Sequence, residues 1–439
     1  ATNTKMRKFS EKKLEDEIEW FGKNKISYID CCDANFGIFI ERDSAIAKKL
    51  SEVSYQNGFP KTFRPNWAKF SSEKIIPIAK ELQKNGLLRA VTLSVQSLDE
   101  TALKIIKREN MKFKNFSELS TSFYENGIPT YSEIILGLPG ETLQSFKKGL
   151  EIIASDTKID TIQIYHCGVL PNAPMNDVSY IKKFNIKKIK SPLSSVHSKI
   201  ETNTIQEFEE IIVSTCSFDK SELQEMYLYS WIIQTFHSLG ILEYICNFYQ
   251  KQNNFSILDF YDLFLDFCRT QTSIFSQEFQ IVSEFMNDGY SGKGWDHYDS
   301  SLGEIYWPIE EASWLRLTSN LPELLNSINL FTSFINTKKN LNISENIIND
   351  LIEFQLFLLT TKDQKEQTKS KKFNYDWKSF FTTSFELNQT CLKYEYENLI
   401  TTNDNFSWNY QTIWFGRFKQ KYKISPKKLD NVISLSKYV

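Results

Sequence analysis

Apolar residues recur at helical spacing through residues 11–23 (EKKLEDEIEWFGK), and the run stops near Gly22 and Asn24. That pattern predicts a first amphipathic helix. Residues 26–31 (ISYIDC) follow as a short apolar strand, DANFGIFIERD as a loop, and 43–57 as a helix. A strand region is expected over 61–70 and a helix over 71–86, closed by Asn85-Gly86, a helix-stop signal. The same alternation continues with a strand over 89–97, a helix over 99–109 and a helix over 113–127 that stops at Asn126-Gly127. A strand over 130–137, a helix over 142–155 and a strand over 161–167 complete it. Strands that alternate with helices over some 170 residues predict an α/β fold with a parallel sheet, open or curled into a barrel, joined by right-handed crossovers.

After residue 180 the pattern changes. KKFNIKKIKSPLSS reads as a basic, turn-rich connector, and residues 201–361 carry long apolar-aromatic helical runs with no strand signals between them. The expected organisation is therefore 1–180 as the α/β part, 181–200 as the connector and 201–361 as a mainly helical C-terminal domain. A charged linker over 362–372 (KDQKEQTKSKK) leads to a mixed segment over 373–439 with short strands at ENLITT and YQTIWFGRF. DGYSGKGWDHYD (288–299) is expected to be a loop. No internal repeat is present.

Composition narrows the class. At 439 residues the chain is long enough for two or three domains. The formal net charge of −2, with Lys interleaved among Asp and Glu, gives no nucleic-acid footprint. No apolar run approaches the roughly 20 residues of a membrane span, and no signal peptide is visible. Seven cysteines, scattered except for Cys31 and Cys32, do not form a disulfide framework, and a cytoplasmic location fits them. Adjacent strand cysteines point to opposite faces, so Cys31 and Cys32 are expected to be small packing residues rather than metal ligands. The four histidines show no metal-ligand spacing; His237, on an apolar helix, is expected to be a core residue, whereas His297 is a loop residue that could face substrate.

The segments RAVTLSVQSLDETALKIIKREN and PTYSEIILGLPGET place Gln96, Arg108 and Glu133 near the C-terminal ends of strands or on the helix that follows. Parallel α/β barrels carry their chemistry at that edge, and a polar side chain there is costly without a ligand or partner. GLPGE is not a phosphate loop, since no GKS or GKT follows. Taken in order, YIDCCDANFGI, NWAKF, LSVQSLDETALKIIKREN, EIILGLPGET and IYHCGVLPNAPM resemble the barrel of the radical S-adenosylmethionine enzymes, and most of all their cobalamin-dependent branch. The resemblance covers residues 1–180 and continues into WPIEEASWL (307–315).

The resemblance implies a partial TIM-like (β/α)6 barrel that lacks its first strand. It also implies use of S-adenosylmethionine, a [4Fe–4S] cluster and cobalamin. The family's CxxxCxxC cluster loop is absent, and a segment like ATNTKMRKFS follows that loop in relatives. The cluster ligands and the cobalamin domain are thus expected outside this chain, with the missing N-terminal part as a possible separate partner. Two readings stay open: a piece of a longer methyl-transferring enzyme acting on a small molecule or peptide, or a cluster-less remnant serving as a binding or scaffold protein.

Residue by residue, the resemblance gives Gln96 the ribose or amino-acid part of S-adenosylmethionine, with Ser94 on the same strand face. It gives Arg108 the carboxylate and Glu133 the ribose hydroxyls. Asp33, Asn35 and Gly37 fall where relatives hold the amino group, although the family's usual Gly-Gly-Glu is replaced here. Tyr165, Leu170 and Asn172 fall beside the adenine, and Asn66 and Trp67 line the pocket or the core. No metal ligand and no catalytic residue is assigned.

Overall fold

The computed structural model describes residues 8–68, 72–200, 205–359, 368–382, 386–398, 400, 402, 404–417 and 422–427. The start of ATNTKMRKFS, the end of NWAKF, most of the linker KDQKEQTKSKK and parts of ENLITT lie outside these residues. The chain forms two compact units. The first is Ala1–Val95, Asn110–Glu133 and Thr157–Asp160; the second is Gln96–Glu109, Ile134–Asp156 and Thr161–Val439.

The first unit begins with α1 (Glu11–Lys23), where the Ser10 hydroxyl caps the Lys13 amide. β1 (Tyr28–Asp30) and β2 (Thr62–Arg64) pair in parallel, Tyr28 opposite Thr62. Between them α2 (Ile40–Asn57) buries Ala47, Leu50 and Val53, and it ends where Gly58 turns left-handed. This helix starts three residues before the expected 43, so IERD belongs to its first turn rather than to a loop. The apolar side chains of β2 and the loops around it meet in a cluster of Phe36, Phe63 and Trp67, with ring centroids 5.5 Å apart for Phe36–Phe63 and for Phe36–Trp67. α3 (Ile76–Gln83) precedes β3 (Val91–Thr92), which runs parallel to the start of β4 (Thr130–Leu136).

In the second unit α4 (Glu100–Ile105) follows the loop after β3 and is capped by Asp99, whose carboxylate accepts from the Ala102 amide at 2.8 Å. The helix ends at Ile105, so Arg108 lies in the segment after it and not on it, contrary to expectation. In the first unit α5 (Phe113–Glu125) supplies Phe116, Leu119 and Phe123 to the core. The second unit continues with α6 (Leu143–Asp156) and β5 (Thr161–His166). Parallel strand pairs separated by helices make the expected α/β class plain. The strand expected over 89–97 is shorter: beyond Thr92, Gln96 meets Ile134 only as an isolated parallel bridge.

The connector read at 181–200 is ordered structure. α7 (Val178–Phe184) is followed by β6 (Lys187–Pro192), which pairs antiparallel with β7 (Phe208–Ser214). Beyond it, α8 (Lys220–Ile232) starts in a capping box of Asp219 and Glu222, and helices follow as far as Glu345–Phe357. The segment 201–361 is mainly helical, but it also holds β7 and the short antiparallel pair His297–Tyr298 with Tyr306–Trp307. Glycine-rich 289–293 follows the helix Ile274–Asp288 and leaves helical backbone at Gly292, where φ is +90°. Thr368–Tyr375 is a strand, so the end of the charged linker is structured, and it pairs antiparallel with Gln389–Asn398. YQTIWFGRF falls largely within the helix Asn405–Arg417 instead of forming a strand.

Candidate functional site

The DANFG loop of the first unit is a network of backbone and carboxylate. Asp33 accepts from the Asn35 amide at 3.0 Å and from Arg42 at 2.7 Å. Arg42 also reaches Asp43 at 2.6 Å, and the buried Asp43 accepts from the amides of Gly37 at 2.7 Å and Phe39 at 3.2 Å. One guanidinium between two carboxylates repays much of the cost of burying Asp43. Gly37 has φ +96°, and a Cβ there would stand 2.8 Å from Ile75 Cγ2, so the loop requires glycine for both conformation and space. Asn35 is exposed, and Asn66 fixes the loop edge by donating to the Cys31 carbonyl at 2.6 Å. Trp67 is buried with its Nε1–H unpaired. Asp43 was not singled out by sequence reasoning; a carboxylate on the apolar face of a helix was the available signal.

Also in the first unit, Ser94 donates to Glu133 Oε2 at 2.7 Å. These two predicted residues are brought together, on neighbouring strand segments. The remaining Glu133 oxygen has no protein donor among the described residues.

The second unit carries the other predicted residues. Gln96 is in the left-handed region at φ +56°, and its carbonyl accepts from the Ile135 amide at 2.8 Å. Its side-chain Oε1 is buried without a partner. A buried amide oxygen left unmade costs about 1–3 kcal/mol, which argues for a donor that arrives with a ligand. Ser97, next in sequence, accepts from the Asp99 amide at 3.0 Å and donates to Glu141 Oε1 at 2.5 Å. Glu141 ends the GLPGE turn and is 2% exposed; its Oε2 has no partner. Burial pushes its carboxyl up to about 8, with the Ser97 hydroxyl opposing and Asp99 adding to the rise. Arg108 is exposed and makes no ion pair among the described residues.

At the end of β5, Tyr165 is half exposed and its hydroxyl donates to Gln163 at 2.6 Å; Leu170 and Asn172 are also exposed. All three lie at the surface. Their neighbour His166 was counted among the four histidines without metal-ligand spacing but given no role from the sequence. Its ring lies against Trp295 at 4.1 Å, stacks on Tyr227 at 5.6 Å and meets the Tyr290 hydroxyl at 3.3 Å. Burial holds its imidazole down at about 3, so it is neutral at ordinary pH. His297, read as a loop residue that could face substrate, is held by Arg316 at 2.8 Å, and burial lowers it to about 4. His237 is satisfied by the Tyr261 hydroxyl at 3.2 Å, as a core histidine should be. Cys31 is half-buried, but Cys32 is exposed and so is not the packing residue expected.

Among the described residues no three His, Cys, Asp or Glu side chains come together to hold a metal ion, so no cluster ligand is assigned. Nor is any helix of the described residues long and apolar enough to cross a membrane.

No family model matches the chain. It is 31% identical over 267 residues to the cobalamin-dependent radical SAM methyltransferase TokK of Streptomyces tokunonensis, which covers 61% of this chain and 39% of that protein. It is 25% identical over 401 residues to the 2-(S-pantetheinyl)-carbapenam-3-carboxylate methyltransferase of Streptantibioticus cattleyicolor, covering 87% of this chain and 58% of that protein. The chain thus spans less than two thirds of the length of either relative. A solved structure of the radical S-adenosylmethionine methyltransferase TsrM from Kitasatospora setae, with tryptophan and a SAM analogue bound, is 12% identical over 53% of this chain and 48% of that one. The TM-score to that structure is 0.38.

Proposed function

From the similarity to the cobalamin-dependent radical S-adenosylmethionine methyltransferase TokK and to a second methyltransferase, we propose that this chain supplies the S-adenosylmethionine-binding portion and helical domain of an enzyme like TokK. In this reading residues 1–180 form part of a (β/α)6 barrel, and 201–361 help to select a small-molecule or peptide substrate. The observation that carries it is Gln96: a buried amide oxygen without a partner, held in a left-handed turn four residues beyond β3. A ribose hydroxyl or an ammonium group is the kind of donor it lacks.

The other assignments follow the chemistry of each side chain. Glu133, steadied by Ser94, accepts from ribose hydroxyls. Arg108 pairs with the carboxylate, for which a planar guanidinium is suited. Asp33, Asn35 and Gly37 form the loop at the amino group, with Arg42 and Asp43 fixing its shape. Tyr165, Leu170 and Asn172 flank the adenine. When bound, S-adenosylmethionine supplies the methyl sulfonium; the protein's share is binding, orientation and exclusion of water. The described residues offer no ligand set for an iron–sulfur cluster, and no corrin-binding segment was recognised in the sequence, so no step is assigned to either.

Calorimetric titration of the full chain with S-adenosylmethionine tests the proposal. Saturable one-site binding that weakens in Gln96→Ala and Glu133→Ala is the expected result. Binding that neither substitution changes would remove these residues from the site.

A further inference from the structure

Gln96 owes its position to a contact from a different loop. A non-glycine residue at φ +56° is strained and persists only where its surroundings hold it. The carbonyl of Gln96 is fixed by the Ile135 amide at 2.8 Å. On its other side, Ser97 is 1% exposed, and the bonds that hold it include one from the Asp99 amide at 3.0 Å and one to Glu141 at 2.5 Å. Glu141 reaches this point because Gly140 lies close against α4. A Cβ at Gly140 would stand 2.5 Å from Ile105 Cδ1 and 3.4 Å from the Ala102 backbone.

A buried glutamate with one oxygen unpaired is an expensive way to hold a turn. Nothing in the assigned chemistry uses it.

We propose that Glu141 is a positioning residue: through Ser97 it locks the Gln96 turn and so aims the Gln96 amide at the ribose or amino-acid part of S-adenosylmethionine. This rests on the reading of Gln96 given above. The groups that face Glu141 are the Ser97 hydroxyl, Asp99 at the start of α4, and the buried Cys167 thiol after β5. Burial pushes that thiol up to about 12, so it stays neutral and does not compete as a charge. With its carboxyl at about 8, Glu141 is uncharged at neutral pH. Ionisation above that value places a charge in a site with one donor, and the turn then opens toward water.

The test uses the full chain and two independent readings. Hydrogen exchange at the Asp99 and Ile135 amides, corrected for intrinsic rates, reports the turn directly, since those amides bond Ser97 and Gln96. Calorimetry with S-adenosylmethionine reports the aim of Gln96. Glu141→Ala and Ser97→Ala are expected to exchange both amides at least tenfold faster and to weaken binding at least tenfold. Glu141→Gln, which keeps an acceptor for Ser97 and has no proton to lose, is expected to match wild type at pH 7. At pH 9 it should stay protected while wild type loosens. If Glu141→Ala, folded by circular dichroism, keeps wild-type exchange at Asp99 and Ile135, the lock is overturned. If the turn loosens but affinity does not change, the lock stands and its link to the cofactor is overturned. If wild type itself fails to bind S-adenosylmethionine, the reading of Gln96 falls, while the exchange rates still decide the lock.

Discussion

Gln96 and Glu133 were legible because a polar side chain on an apolar strand segment is conspicuous in one dimension. Glu141 was not: it sat in a GLPGE turn, where a glutamate reads as solvent-facing. Its partner Ser97 is 44 residues away in sequence. Asp43 and His166 were hidden for the same reason, since burial is set by packing between distant segments. The buried carboxyl also makes a stability prediction. Glu141 loses its proton near its ordinary 4.5 in the unfolded chain and near 8 in the folded one. The folded state therefore binds the extra proton between those values, and its stability falls as pH rises from about 4.5 to about 8, then levels. Glu141→Gln lacks this loss. It should be more stabilising, relative to wild type, at pH 7 than at pH 5 by roughly 2–3 kcal/mol. Urea unfolding of both proteins at the two pH values measures it, and parallel pH dependences would show that Glu141 is ionised in the fold. Arg108 makes a simpler case. Exposed and unpaired with any described carboxylate, its replacement by Ala should leave stability nearly unchanged. The same change should weaken S-adenosylmethionine binding by roughly 1.5–3 kcal/mol, the range for a hydrogen bond to a charged group. Unaltered affinity by calorimetry would take Arg108 out of the site.

Helices with a clean apolar stripe were read almost to the residue: Glu11–Lys23 matches the expected 11–23. Elements whose stabilising partner is remote were misread. Lys187–Pro192 looked like a basic connector because its lysines carry no strand signal by themselves. The acidic strand Phe208–Ser214 supplies the missing half, with Lys188 paired to Glu210 at 2.5 Å. The helix Asn405–Arg417 was taken for a strand because its β-branched and aromatic residues favour extended backbone. Burying Thr412 and Ile413 overrides that preference. The GLPGE turn was placed correctly, but its tight contact with α4 was not legible. Gly140 has φ +94° and abuts Ile105 and Ala102. Gly140→Ala should therefore destabilise the second unit by about 1–3 kcal/mol, combining left-handed strain with overpacking. Denaturant unfolding followed by tryptophan fluorescence reads this cost, and a wild-type midpoint would mean that the turn relaxes freely.

At the scale of the whole chain, the α/β first part and the mainly helical region after it followed from periodicity alone, because long runs average out local ambiguity. The chemistry did not, since it depends on single atoms such as Gln96 Oε1. The proposed contacts divide by which part of S-adenosylmethionine they touch. Gln96 and Glu133 address the ribose and its neighbourhood, Arg108 addresses the carboxylate, and no residue is assigned to the methyl group. S-adenosylhomocysteine keeps every group in that set and lacks only the methyl and the sulfonium charge. If the assignments hold, both ligands should stabilise the chain against heat. A ligand at 100 times its dissociation constant stabilises by about 2.7 kcal/mol. In Glu133→Ala and Gln96→Ala the shift should shrink equally for the two ligands, since the lost contacts are common to both. A thermal melt of wild type and both variants, at matched ligand concentrations, makes the comparison. Loss confined to S-adenosylmethionine would place these side chains at the sulfonium instead of the ribose, and the assignment of roles along the cofactor would have to be reversed.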